Sequence, residues 1–157
     1  MRKMTKEELI KKRQNLGLKV DEFVHLLDIG RNSFFRYSRD PEKMPRSVAF
    51  SIRKIGKDDQ RVLDARVLEP HAVPSDSEGY PDFAFAQFNI ELERLEIDIT
   101  SDITISKLLD CSKSAVQRYK SKSKYRNIIP RHILIFLSLC EISDVFVMDA
   151  KGQLNRI

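Results

Sequence analysis

The chain has no tryptophan, two cysteines, five glycines and three histidines in 157 residues. Two cysteines make no disulfide framework. Cys111 and Cys140 read instead as small buried hydrophobes. His25, His71 and His132 lie far apart in the chain, without metal-ligand spacing. Also missing are a glycine-rich phosphate loop, a Gly-x-Ser-x-Gly elbow and a Cys-x-x-Cys motif. Acidic neighbours such as Glu91 and Glu93, or Asp58 and Asp59, read as solvated charges. The expectation is a protein that is not an enzyme and needs no cofactor and no metal. No apolar run approaches the roughly 20 residues that span a membrane. The N-terminus is basic but lacks the apolar segment of a secretory signal. These absences predict a cytoplasmic protein with no membrane partner.

What is present begins with a repeat. Residues 23–37 and 105–119 share one pattern of apolar, polar and charged positions at a constant offset of 82, both closing on Arg-Tyr (Arg36-Tyr37, Arg118-Tyr119). The offset becomes 85 at Pro45-Arg46 and Pro130-Arg131, each of which opens an apolar segment. Similarity of pattern at a fixed period implies two copies of one structural unit.

Charge follows the repeat. Residues 1–68 hold 17 Lys and Arg against 10 Asp and Glu, whereas 69–82 hold four acids and no base. From Lys113 to Arg131 there are seven basic residues and no acid. Such concentration is the footprint of a polyanion partner, although a solvated basic face has the same composition. The stretch 69–82 also carries three of the six prolines. It divides the chain into a domain 1–68, an acidic Pro-rich linker 69–82 and a domain 83–157.

Periodicity and caps predict an all-α chain with a short tail hairpin. Thr5 to Glu8 is a capping box, and Gly17 a helix stop. Helices are predicted over Val20–Leu27, Arg31–Arg39 and from Pro45, then over Phe83–Ile97, Asp102–Leu109, Lys113–Lys120 and Arg131–Glu141. Asp28-Ile29-Gly30 reads as a tight turn, with Gly30 tolerant of unusual dihedrals. Asp144–Asp149 and Gln153–Ile157 read as two short strands. In the first copy Phe23, Leu27, Ile29, Phe34 and Tyr37 are predicted to lock two short helices, leaving Arg31, Asn32, Phe35 and Arg36 outside. In the second Ile105, Leu109, Cys111, Val116 and Tyr119 lock, while Lys113, Ser114, Gln117 and Arg118 face out.

Gly17-Leu18, Leu26-Leu27, Arg31, Phe34, Arg36-Tyr37 and Pro45 resemble the lambda-repressor/Cro-like (Xre-type) helix-turn-helix DNA-binding family. The resemblance covers roughly 5–55 and, more weakly, 85–140. It departs at Lys19-Val20, where the family has Ser-Gln, and at Asp28, Gly30, Asp110 and Ile99-Thr100. It implies an all-α fold of two such bundles in tandem, to which the residues after 143 add a β-hairpin-like tail. It places base-reading roles on Arg31, Asn32, Ser33, Phe35 and Arg36, and on Lys113, Ser114, Gln117 and Arg118. Arginine suits guanine O6 and N7, and Asn or Gln suits adenine N6 and N7. Phe35 would either pack on a thymine methyl or cover the helix base. Phosphate contacts would fall on Lys19, Arg39, Lys43 and Arg46, and on Ser101, Lys120, Lys122, Lys124 and Arg131.

The expected function is a sequence-specific double-stranded DNA-binding transcriptional regulator, a repressor of phage or mobile-element type in a bacterial cytoplasm, nucleoid-associated. The two copies would act as a covalent pseudo-dimer, or one would read DNA while the other makes a homodimer. The alternative is a protein-binding adaptor or antitoxin-like module with a protein partner.

Overall fold

The computed structural model describes residues 4–69, 73–121 and 129–145. The described residues are all-α, with no strand among them. No described helix is long and apolar enough to cross a membrane. The chain divides into two compact units, Met1–Ala72 and Val73–Ile157.

The first unit runs α1 (Lys6–Leu16), α2 (Val20–Leu27), α3 (Arg31–Arg39), a 3-10 turn (Pro41–Lys43), α4 (Arg46–Lys54) and α5 (Gln60–Arg66). The capping box starts α1: Glu8 N donates to Thr5 Oγ1 at 3.1 Å, and the Glu8 carboxylate reaches back to Thr5 N. Gly17 ends it at φ 68°, a left-handed conformation that glycine adopts without a Cβ penalty. Leu18 N then donates to Arg13 O, closing a Schellman-type cap. Fully buried Phe23, Leu26, Leu27, Ile52 and Ile55 anchor the core, joined by Val48 and Val62. Each such side chain stabilises the fold by about 1.5–3 kcal/mol. Polar ties set the helix positions. Arg53 donates from Nε to Glu8 at 2.8 Å, linking α4 to α1. Arg66 Nη2 donates to Leu16 O at 2.9 Å, linking α5 to the end of α1.

The second unit contains α6 (Tyr80–Arg94), α7 (Asp102–Leu109), α8 (Lys113–Lys120) and α9 (Arg131–Leu139). α6 begins three residues before the expected Phe83. Pro81 sits in its first turn, where a missing N–H is harmless, and Tyr80 is fully buried with its hydroxyl donating to Ile129 O at 2.7 Å. Tyr80, Ala84, Phe88 and Leu92 form its buried stripe at i, i+4 spacing. α9 buries every residue from Ile133 to Leu137, so it is the central helix of this unit. Arg94 Nη2 donates to Leu137 O and Cys140 O, holding α6 against the end of α9.

Two expectations are corrected. The left-handed residue of the first turn is Asp28, at φ 50°, ψ 47°; Gly30 is an ordinary extended N-cap at φ −72°, ψ 152°. Aspartate tolerates that region because its short polar side chain can bond locally. The strand expected from Asp144 is also not formed at its start. Residues 142–145 make a helical turn, with Asp144 N donating to Glu141 O at 2.9 Å and Glu141 N donating to the Asp144 carboxylate. The remainder of the predicted hairpin, 146–157, lies outside the described residues, as does most of the basic loop 121–127.

Candidate nucleic-acid interface

In the first unit, α2 and α3 are joined by Asp28, Ile29 and Gly30. The end of α2 is closed by Asp28 N donating to His25 O and Ile29 N to Val24 O. Phe23 of α2 and Phe34 of α3 meet edge to face with ring centroids 5.9 Å apart, and both are buried. That contact fixes the angle between the helices, and Tyr37 adds a second buried anchor on α3.

The second unit builds the same turn again. Asp110 takes φ 57°, ψ 47°, matching Asp28, and Ser112 takes φ −73°, ψ 155°, matching Gly30. Cys111 N donates to Ser106 O, the counterpart of the Ile29 to Val24 bond. Both fourth-segment helices are led by an extended proline, Pro45 at φ −58° and Pro130 at φ −60°. Ser112 adds a side-chain cap, accepting from Ala115 N at 3.1 Å. Ile105, Leu109 and Val116 are buried, and Phe88 meets Tyr119 edge to face at 6.2 Å. Cys111 is half-buried, and burial pushes its thiol pKa up, which disfavours the reactive thiolate.

The locked helices leave matching outer faces. Arg31, Asn32, Phe35 and Arg36 are exposed on α3, and Ser33 is half-buried. Lys113, Ser114, Gln117 and Arg118 are exposed on α8. Neither helix contains an acidic residue. The Arg31 guanidinium lies 5.5 Å from the centroid of the Phe35 ring and is ion-paired with Asp21 of α2. Arg36 lies over Tyr37 at 5.4 Å. Asp21 was not foreseen at this face; a tertiary neighbour ten residues away leaves no local signal.

The candidate phosphate ligands separate into two groups. In the first unit Lys19 precedes α2, Arg39 ends α3 and Lys43 closes the 3-10 turn, all exposed; Arg46 opens α4 and is half-buried. In the second unit the cationic ends serve the fold. Lys120 Nζ donates to the Asp102 carboxylate at 2.6 Å, tying the end of α8 to the start of α7. That bond holds the Asp102 carboxyl below its ordinary range. Arg131 donates to Val73 O and stacks over Tyr80 at 4.9 Å. Ser101 caps α7, accepting from Thr104 N and donating to Thr104 Oγ1. Lys122 and Lys124 lie outside the described residues.

The chain matches no protein-family model, no curated protein and no solved structure.

Proposed function

We propose that the chain is a sequence-specific double-stranded DNA-binding transcriptional regulator, a repressor of phage or mobile-element type in a bacterial cytoplasm, resembling the lambda-repressor/Cro-like family. One observation carries this reading. The same two-helix turn is built twice, and each time it presents a short, acid-free helix with an exposed polar row. A helix about 10–12 Å across fits the B-form major groove, roughly 12 Å wide, where side chains near its N-terminus reach base edges.

On this reading α3 reads bases through Arg31, Asn32, Phe35 and Arg36, while Lys19, Arg39 and Lys43 grip phosphates. α8 contributes Lys113, Ser114, Gln117 and Arg118. Because the two rows differ in chemistry, a chain using both would prefer an asymmetric site. A homodimer using α3 alone would prefer a palindrome with half-sites about one turn, or 34 Å, apart.

A second role for the second unit has its own support. Ile103 stands on α7 where the first unit has Asp21, and it is exposed, as are Ile90 and Ile99. An exposed isoleucine on α7, the helix that packs against the candidate reading helix α8, favours a protein contact, either a second copy or another protein partner. Selection from a random duplex library with the intact chain at near-physiological salt tests the proposal. Enrichment of an asymmetric site supports two reading helices, and a palindrome supports one per subunit. No enrichment overturns the DNA reading in favour of the adaptor.

A further inference from the structure

Phe35 is 43% exposed, whereas its neighbour Phe34 is 7% exposed and belongs to the core. Phe35 is therefore not a core residue, yet its ring has two defined neighbours. Phe34 meets it edge to face at 5.6 Å, and the Arg31 guanidinium, which also pairs with Asp21, lies over it at 5.5 Å. Residues 31 and 35 are four apart on α3, so they share one helix face. A single exposed aromatic is ordinary on a surface. This one stands in the middle of the row Arg31, Asn32, Phe35 and Arg36.

Base edges in the major groove present donors and acceptors, with one apolar group, the C5 methyl of thymine, which 5-methylcytosine also carries. An aromatic ring in that groove has this methyl as its apolar partner. The arginine on the ring suits guanine O6 and N7. Four residues rise about 6 Å along a helix, against about 3.4 Å per base pair, so the two contacts fall within about two base pairs. We propose that Phe35 and Arg31 act as one reading unit, with Phe35 sensing the C5 methyl of a pyrimidine within two base pairs of the guanine that Arg31 holds. This rests on the groove reading of α3 given above.

The test replaces each thymine of the selected duplex, one at a time, by deoxyuridine, which removes the methyl alone. Affinity of the full chain is measured against each duplex. The guanine is located as the position whose preference is lost in Arg31→Ala. One thymine within two base pairs of it should weaken binding by about fourfold, the worth of one buried methyl group. Phe35→Ala and Phe35→Gln should both erase that difference, with circular dichroism confirming that the helices remain. The Gln variant keeps a long side chain, so a folding loss in the Ala variant would not hide the result. The same fourfold penalty in both variants overturns the methyl contact. So does a wild-type chain indifferent to every thymine near that guanine. In either case the selected sequence preference would stand, whereas loss of all preference would remove the DNA reading itself.

Discussion

Gly30→Ser should stabilise the first unit. The position already has the backbone of a capping serine: Gly30 sits at φ −72°, ψ 152°, and Ser112 at φ −73°, ψ 155° in the matching turn. Ser112 Oγ accepts from Ala115 N at 3.1 Å, so a serine at 30 is placed to accept from Ser33 N. There is room for it. A Cβ added at Gly30 meets Ser33 Oγ at 4.0 Å as its nearest non-neighbouring atom. Serine over glycine at an N-cap gains a few tenths of a kcal/mol. In a unit of this size that gain raises the melting temperature by about 1–3 °C. Thermal unfolding of the full chain, with hydrogen exchange of the 31–39 amides to assign the transition, reads it. Ser112→Ala should lose about 1 kcal/mol in the second unit. If Gly30→Ser instead lowers stability, Gly30 needs a conformation closed to serine, and the equivalence of the two turns is wrong.

Arg36→Ala should cost about 1–3 kcal/mol on the preferred duplex and relax one base position in a binding-preference assay. Lys19→Ala, Arg39→Ala and Lys43→Ala should each weaken all duplexes alike and reduce the slope of log affinity against log salt by about one; an unchanged slope would remove that residue from the phosphate set. Lys120 holds the Asp102 carboxyl below its ordinary range, so the folded pKa is depressed relative to the unfolded one. That contribution is fully present above the unfolded value of about 3.9 and is lost as pH falls through the lower folded value. Acid unfolding followed from pH 6 to 2 should therefore show a shallower loss of second-unit stability in Asp102→Asn, and an identical curve would count against the pair.

Helices flanked by strong local signals were legible from sequence. The Thr5 capping box, the Pro45 and Pro130 leads, and the limits of α2, α3, α7 and α8 all follow from caps and spacing that act within four residues. The outer face of α3 was legible for the same reason, because two buried aromatics three apart, Phe34 and Tyr37, fix which side turns outward. The tolerance of Gly30 points to the wrong residue of its turn, yet the repeat contains the answer. Aspartate occupies that position in both copies, whereas Gly30 is replaced by Ser112, which could not adopt a left-handed turn without strain. Tyr80 was hidden in a Pro-rich stretch, and the partner of its hydroxyl, Ile129 O, lies 49 residues away. The pairing of Lys120 with Asp102 and the bond from Arg131 to Val73 O are likewise tertiary, so composition alone did not show that the fold engages these two side chains.

The central claim is that α3 reads bases, and the most direct test is paired library selection with the intact wild-type chain and an Arg31→Ala, Asn32→Ala, Arg36→Ala variant under the same salt. The account predicts that the wild-type chain enriches a defined site. The variant should retain salt-sensitive binding yet lose the preference at the positions α3 contacts. Enrichment of the same site by both proteins would contradict it.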